Sequence, residues 1–409
     1  MIRRRPITTL ILLIVLISGA LALMVWGNYQ YTLNYPGGEH FFVDWFSARS
    51  LFIDGVNPYS ETAQNSMVSF ARGAGVALDP GARYGHPLYA AFFILPFAIV
   101  RDFVWARAVW MVVSEGILIG LVLISLSMAR WRVKPLLLGL LALFGLLWFH
   151  GLYPLMTGNL SILVSLLIAS VFLAIRSRQY EFAGVLLGMA TIQPQAMLLF
   201  AFFVIIWSFR YRHAKLAGWF FATIILLSGT VALIRPQWII DYLRVIIQPN
   251  PTNPTISVVL QSFLPAAGER LGIILSALTG LVLFIEWFIS KKTDFDGFLW
   301  TGLLTLTLAP WIGLPTEPAV FLVAFPAVIL SFCLWNERWP RAGIVLSSLA
   351  ALLLLAGLWL IYLTKAGNPA SANPGLFFAQ PFLLAIMLYW VRWWAIRKPN
   401  VWFDQLSNH

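Results

Sequence analysis

Long apolar runs separated by short polar segments make up most of the chain, and this alternation predicts membrane-crossing helices. A helix needs about 20 apolar residues to cross the hydrocarbon layer of a bilayer. Twelve runs are interpreted as crossings: 7–26, 103–129, 135–149, 160–176, 182–193, 195–209, 216–234, 270–290, 297–309, 319–335, 342–364 and 376–394. The pattern therefore predicts an all-α polytopic membrane protein with about twelve transmembrane helices.

Three apolar pieces are short for a crossing. Residues 87–100 could be a thirteenth crossing, but that would reverse the orientation of every later segment, so they are predicted to form a re-entrant or surface-lying helix. The runs 182–193 and 195–209 meet at Gln193-Pro194. Irregular backbone at membrane depth must face protein or a water-filled cavity, so this junction is predicted to be buried.

Composition and charge support a membrane protein and give its orientation. With 60% hydrophobic and 11% charged residues, the chain is too apolar for a soluble domain. The net charge of +11 does not indicate a nucleic-acid partner, because the basic residues form short clusters between the apolar runs. Eighteen of the 27 Lys and Arg residues lie in loops that the crossings place on one side. The positive-inside rule therefore predicts cytoplasmic N- and C-termini.

No fixed-period repeat or low-complexity linker divides the chain, so residues 1–409 are predicted to form one integral membrane domain. The run 7–26 is interpreted as an uncleaved anchor, since it is longer than the apolar region of a usual signal peptide. Two outer loops are large enough to build a site, residues 27–102 and 235–269. The second carries its own amphipathic segment, residues 236–247.

The first outer loop contains an amphipathic helix predicted over residues 41–54. Its polar arc carries Asp44, Ser47, Ser50 and Asp54, and its opposite arc carries Phe42, Trp45, Phe46 and Ile53, with Arg49 among them. Such a helix is expected to lie in the membrane interface, with its aromatic side in lipid, its acidic side toward water or a cavity, and Arg49 reaching a lipid phosphate.

Turn and capping residues follow that helix. Gly55 suits its C-terminus, and Asn57-Pro58-Tyr59 is typical of a turn. Ser60 is predicted to cap a second helix that ends near Gly73. The loop is therefore expected to be folded.

These motifs resemble those of a known family. One span, then Asp44-Trp45, Gly55, Asn57-Pro58-Tyr59 and Tyr84-Gly-His-Pro87 before an apolar stretch resemble the family 87 branch of the GT-C glycosyltransferases. The resemblance implies inverting transfer of a sugar, usually mannose, from a polyprenyl-phosphate carrier on the outer membrane face.

The resemblance extends to later positions, with departures. Gly158-Asn159 opens a span where family members often carry Gly-Gln, and Gln193-Pro194 stands where many have Lys-Pro. Arg83-Tyr-Gly-His-Pro87 replaces a Tyr-x-Tyr-Pro-Pro motif, and Ala309-Pro310-Trp311 has no histidine after it. These departures concern the contacts to sugar and acceptor.

The chemistry of such a transfer points to Asp44. A sugar phosphate already has a good leaving group, so the reaction needs a base for the acceptor hydroxyl and positive groups for the departing phosphate. One carboxylate is enough, unlike glycoside hydrolysis, which generally uses two. Asp44 is the predicted general base. The alternative is a structural acid paired with Arg49 or another arginine.

Cations of the outer loops are candidates for the phosphate. Arg235, at the end of a span, and Arg244 on the following helix are predicted to clamp it, unless they only anchor that helix. Arg83 and His86 flank Tyr84 near the acid, although a histidine before proline also suits a turn. The predicted substrate-binding residues are Arg49, Tyr59, Arg83, Tyr84, His86, Asn159, Gln193, Arg235, Arg244 and Glu317.

Two further acids each have two interpretations. Glu317 is expected to bind a sugar hydroxyl or the acceptor, or else to be a solvated loop acid. Glu115 is an intramembrane carboxylate, and such groups are functional candidates, although a pair with Arg107 would also explain it.

The sequence thus predicts a metal-independent hexosyltransferase without a cofactor, in a bacterial plasma membrane, with an extracytoplasmic active site that serves the cell envelope. Its predicted partners are the polyprenyl-phosphate sugar donor, a lipid or glycan acceptor and membrane lipids, with no nucleic acid. The acids near Asp44 lack Asp-x-Asp spacing, and the single cysteine, Cys333, excludes a thiolate metal site. The alternatives are a lipid or sugar transporter or flippase, for which repeated halves would be expected, and an inactive GT-C-like scaffold.

Overall fold

A computed structural model of the protein describes residues 7–78, 81–248, 254–289, 295–364 and 373–396. No β-strand occurs in these ranges, which confirms the predicted all-α class. Some of the basic residues used to predict the orientation, Arg3–Arg5, Lys291–Lys292 and Arg397–Lys398, lie outside the described residues.

Helices of very different lengths account for the regular structure. In the first half they are α1 Ile7–Asn34, α2 Glu39–Phe52, α3 Glu61–Gly73, α4 Ala91–Ala98, α5 Phe103–Met128, α6 Pro135–Leu147, α7 Phe149–Thr157, α8 Ser161–Arg176, α9 Tyr180–Met189 and α10 Pro194–Arg210. In the second half they are α11 Ala214–Ile234, α12 Trp238–Ile247, α13 Ile256–Phe263, α14 Gly268–Ile289, α15 Phe295–Leu308, α16 Phe325–Arg338, α17 Pro340–Leu352, α18 Leu358–Leu363 and α19 Pro374–Ile396. Short 3₁₀ helices are Leu88–Ala90, Ala190–Ile192, Ala309–Ile312 and Pro318–Ala324, and residues Leu353–Gly357 form one π turn.

All twelve apolar runs contain helix, but not all are long enough to span a bilayer. Seven stretches in the described residues reach that length: Ile14–Asn34, Phe103–Met128, Ala214–Ile234, Gly268–Ile289, Pro318–Arg338, Pro340–Leu363 and Gly375–Ile396. An eighth is possible if α6 and α7, bent by 54° at Trp148, form one broken span. The predicted count of about twelve is therefore not confirmed, because four of the predicted crossings (α8, α9, α10 and α15) are short helices.

Residues 87–100 form no helix of spanning length, as the sequence predicts, and their re-entrant or surface-lying position stays a prediction. Their helical part, Leu88–Ala98, is a 3₁₀ turn followed by α4, and it is shorter than the candidate spans. The junction at Gln193-Pro194 is likewise confirmed as an irregular point, with Gln193 fully buried.

The chain folds as two compact units. The first comprises Met1–Gly85, Tyr89–Ile117 and Leu155–Asn159. Its core is aromatic: Phe41 stacks on Trp110 with ring centroids 5.3 Å apart, and Phe42 and Trp45 both contact Phe103. The prediction of one membrane domain with two outer loops stays a prediction.

The second unit comprises His86–Leu88, Leu118–Pro154 and Leu160–His409. Its centre is α15, in which every residue from Gly297 to Leu308 is buried. Two polar contacts in this unit join helices that are distant along the chain. The Trp300 indole donates to the Leu388 carbonyl at 2.9 Å, and Glu286 pairs with Arg392 at 2.8 Å.

Candidate functional site

Asp44 lies on α2, a helix that is buried on both of its faces. On the polar arc, Asp44 is only 3% exposed, and Ser47 and Ser50 are buried with it. On the opposite arc, Phe42 and Trp45 are buried as well. The expectation that the aromatic side lies in lipid is therefore wrong for these two rings.

The aromatic side of α2 has protein partners from segments distant along the chain. Phe42 and Trp45 both contact Phe70 of α3 and Phe103 of α5, at centroid distances of 5.0 to 6.0 Å. Aromatic pairs in this range pack favourably beyond their buried area. The helix that carries the candidate base is thus fixed by packing and does not lie free on a membrane surface.

Arg49 has two partners within the protein. Its guanidinium donates to the Ala98 carbonyl at 2.7 Å and lies over the Trp45 ring at 5.1 Å. The Ala98 carbonyl belongs to the last turn of α4, where carbonyls lack partners within the helix. Arg49 therefore caps α4 and connects it to α2, and the expected contact with a lipid phosphate stays a prediction.

The predicted turn after α2 is confirmed in detail. Gly55 has a left-handed φ of +67°, and the Asn57 side chain accepts a hydrogen bond from the Tyr59 backbone N–H at 3.1 Å. The Ser60 hydroxyl accepts from Ala63 N–H at 3.2 Å and so caps α3, as expected. Tyr59 and Tyr84, two predicted substrate-binding residues, are brought together with ring centroids 5.5 Å apart.

The segment that contains Asn159 is packed against α2. Gly158 has a φ of +75°, and a Cβ atom added there would lie 2.3 Å from the Cβ of Phe41. Only glycine allows both this backbone conformation and this approach. The predicted Gly158-Asn159 motif therefore contacts the helix of Asp44, and Asn159 itself is buried.

Arg107 holds the beginning of α2, a role that the sequence did not reveal. Its guanidinium donates to the Tyr35 carbonyl at 3.1 Å and to the Met156 carbonyl at 3.0 Å. A Cβ at Gly38, the residue before α2, would lie 2.5 Å from the Arg107 Nε. The pair Gly37-Gly38 was the available signal, since it lets a large side chain pass close to the backbone.

Glu115 is partnered differently from the predicted alternative. Its carboxylate accepts a hydrogen bond from the Asn28 amide at 3.0 Å, which joins α5 to α1. Arg107 binds backbone carbonyls instead. The suggested Glu115–Arg107 pair is therefore not formed.

In the second unit, Glu317 lies in a buried hydrogen-bonded cluster. The Gln193 amide donates to Glu317 Oε1 at 3.4 Å, and Glu317 is only 6% exposed, so the interpretation as a solvated loop acid is wrong. His150 Nδ1 lies 2.7 Å from the carbonyl oxygen of Pro318. A carbonyl only accepts, so Nδ1 carries the ring proton in this bond.

Two residues of this cluster, His150 and Gln193, lie at points where helices are interrupted. His150 follows Trp148, whose ψ of 141° ends α6, and Gln193 separates the Ala190–Ile192 turn from α10. The freed Leu147 carbonyl accepts from the Trp359 indole at 2.9 Å. Sequence reasoning missed His150 because it adjoins an apolar run. A histidine between apolar stretches was the signal available.

The remaining predicted binding residues are more exposed to solvent or have fewer contacts described above. Arg244 pairs with Asp241 on its own helix at 3.5 Å, and its side chain is 74% exposed, so the pair is worth roughly 0–1 kcal/mol. Arg235 ends α11, and Arg83 and His86 are half-buried. The phosphate clamp by Arg235 and Arg244 stays a prediction. In the described ranges, no three His, Cys, Asp or Glu residues are grouped for a metal, and metal independence also stays a prediction.

Comparison with known proteins adds an independent observation. A family model described as glycosyltransferase family 87 matches residues 84–310, more than half of the chain. The matched stretch includes Asn159 and Gln193 but neither Asp44 nor Glu317. No curated protein and no solved structure matches the chain. With its long apolar helices, the chain belongs to glycosyltransferase family 87 and is an integral membrane glycosyltransferase.

Proposed function

We propose that the protein transfers a sugar, with mannose as the expected one, from a polyprenyl-phosphate carrier to an acceptor hydroxyl on the extracytoplasmic side. Asp44 acts as the general base. The observation that carries this proposal is a buried carboxylate on a helix packed on both faces, in a chain that belongs to family 87. A fixed carboxylate in water-poor surroundings is what proton abstraction from a hydroxyl requires.

The reaction is a single displacement at the anomeric carbon. The Asp44 carboxylate takes the proton of the acceptor hydroxyl while its oxygen forms the new bond to the anomeric carbon. The bond between that carbon and the phosphate oxygen breaks, and its electron pair leaves with the polyprenyl phosphate. Attack opposite the leaving group inverts the anomeric configuration.

The polar arc around Asp44 is held in place by its own helix, which supports a role in positioned proton transfer. Arg49 on the same helix is engaged with the Ala98 carbonyl and the Trp45 ring. Ser47 and Ser50 continue the polar arc of Asp44 and are also buried. Polar groups fixed in this way need no reorganisation during proton transfer.

The test compares Asp44→Asn with Asp54→Asn, a matched change at the exposed end of the same polar arc. Purified protein in lipid nanodiscs is given radiolabelled polyprenyl-phosphate mannose and other polyprenyl-phosphate sugars, and the release of polyprenyl phosphate is measured. We expect Asp44→Asn to lower the rate by about 10²- to 10⁴-fold, while Asp54→Asn stays near wild type.

Two outcomes would contradict separate parts of the proposal. A folded Asp44→Asn variant with the wild-type rate would show that Asp44 is not the base. A wild-type protein that releases polyprenyl phosphate from none of these donors would show that the donor class is wrong.

A further inference from the structure

A cavity of about 400 Å³ lies in the second unit, among the ends of α5, α15, α16 and α19. It contains no residue of the candidate functional site. Four charged side chains line it, Arg130, Asp296, Glu337 and Arg338, together with the indole of Trp394. The remaining wall is mainly apolar, formed by leucines and a methionine. Opposite charges and an apolar wall are thus combined in one pocket.

The position of the cavity indicates the level of lipid head groups. Three candidate spans end at its lining residues, Phe103–Met128, Pro318–Arg338 and Gly375–Ile396. The ends of spans mark the boundary between hydrocarbon and the polar region of the bilayer. A ligand that enters here meets charged groups near the span ends and apolar groups along the helices, as a phospholipid does.

The backbone at Arg130 is left-handed, as it also is at Arg178 and Arg212, so this conformation by itself does not indicate a ligand. Its φ is +56°, and Trp131 N–H bonds to the Leu126 carbonyl at 3.0 Å in the closing turn of α5. Glycine usually takes this left-handed position because a Cβ strains it. The Arg130 guanidinium pairs with Asp296 at 3.2 Å, but both side chains are partly exposed, and such pairs contribute little to stability. Both charged groups of this pair are therefore accessible to a ligand that enters the cavity.

The charge pattern specifies the chemical class of ligand. Two guanidinium groups suit a phosphate, whereas two carboxylates would repel a ligand that is only anionic. A primary ammonium satisfies the carboxylates because it donates hydrogen bonds, which a quaternary ammonium cannot do. The Trp394 ring adds a surface that attracts a cation.

We propose that this cavity binds the head group of a zwitterionic phospholipid with a primary ammonium, of the phosphoethanolamine type. Arg130 and Arg338 contact the phosphate, Asp296 and Glu337 accept from the ammonium, and the apolar wall contacts the glycerol end of the acyl chains. This site is independent of the proposed transferase activity.

The first experiment measures lipid-specific stabilisation of the full-length protein in detergent. Phosphatidylethanolamine, phosphatidylcholine and phosphatidylglycerol with identical acyl chains are added separately, and Tm is recorded. We expect phosphatidylethanolamine to raise Tm by several degrees more than the other two. An equal shift with phosphatidylglycerol or phosphatidylcholine would overturn the proposed ligand class.

The second experiment uses Arg130→Gly with Arg212→Gly as its matched control. Arg212 also has a left-handed φ, +60°, at the end of α10, but it does not line the cavity. Glycine relieves the strained backbone at both positions, so neither variant is expected to lose Tm without lipid. We expect Arg130→Gly to abolish the phosphatidylethanolamine-specific shift and Arg212→Gly to retain it. Equal responses of the two variants would overturn the site.

Two further variants keep the test decisive. Arg338→Gln removes the second guanidinium and is expected to weaken retention of phosphatidylethanolamine in native mass spectrometry, even if Arg130→Gly fails to fold. Glu337→Gln is expected to remove the preference for phosphatidylethanolamine over phosphatidylcholine. A preserved preference in Glu337→Gln together with unchanged retention in Arg338→Gln would contradict the proposal.

Discussion

Asp44 and Glu317 are both buried acids, but the two regions hold them in different ways. Asp44 lies in the middle of a continuous helix whose aromatic face packs against Phe70 and Phe103. Glu317 precedes a 3₁₀ helix, beside two interrupted helices, and is held by the Gln193 amide. Packing energy is spread over many contacts, whereas a hydrogen bond depends on two atoms. We call the surroundings of Asp44 on α2 the helix region, and the surroundings of Glu317 and His150 the turn region. The stability of the helix region should depend on side-chain volume, and that of the turn region on hydrogen-bond donors.

The largest expected effect on stability is that of Trp45→Ala in the helix region. It removes a fully buried ring from the cluster around α2, so we expect a loss of about 3–5 kcal/mol in the free energy of unfolding. Unfolding by a denaturing detergent, followed by circular dichroism, measures this loss. Trp26→Ala is the control because that ring is 54% exposed on α1 of the same unit. Equal losses in the two variants would mean that α2 is not held by aromatic packing.

A second expected effect tests the contact between Gly158 and α2. Gly158→Ala places a methyl group on the side chain of Phe41 in a left-handed backbone, so overpacking of about 1–3 kcal/mol adds to about 1–2 kcal/mol of backbone strain. Gly55 also has a positive φ, but nothing lies within 4 Å of a Cβ added there. Gly55→Ala is therefore expected to cost only the backbone strain. The difference in unfolding free energy between the two variants isolates the packing. Equal losses of unfolding free energy in the two variants would show that residues 155–159 are not closely packed against α2.

The smallest effect is expected in the turn region, from His150. His150→Leu removes the hydrogen-bond donor to the Pro318 carbonyl, which is then buried without this bond. We expect a loss of about 1–3 kcal/mol in the free energy of unfolding. His150→Asn places an amide N–H near the position of Nδ1 and is expected to restore part of the lost stability. Thermal unfolding of the two purified variants tests this. If leucine is tolerated as well as asparagine, packing and not the hydrogen bond holds the turn.

Local signals predicted the segment around Asp44 well. Gly55, Asn57 and Ser60 act within three or four residues of themselves, so the end of α2, the turn and the start of α3 followed from sequence. The environment of α2 did not, because the partners of Trp45 lie 25 and 58 residues further along the chain, at Phe70 and Phe103. An amphipathic pattern alone does not distinguish a lipid-facing side from one that packs against aromatic protein side chains.

The number of spans and the supporting polar residues were harder to predict for related reasons. Hydropathy does not reveal the helix break at Trp148, because no proline marks it in the sequence. The break at Gln193-Pro194 could be predicted because it contains a proline. Arg107 and His150 bind backbone carbonyls at Met156 and Pro318, 49 and 168 residues away. Every residue has a carbonyl, so such partners leave no pattern in the sequence.

The Arg107 contacts also have a consequence for biosynthesis. The residues that precede α2 are fixed through the Tyr35 carbonyl only after Arg107, 72 residues later, has been synthesised. Its second contact, at Met156, needs 49 residues more. The segment that carries Asp44 therefore remains in an incomplete state until two later parts of the chain have emerged from the ribosome. A slow step in the synthesis of those later parts would leave the nascent acid-bearing helix exposed to proteases during that interval.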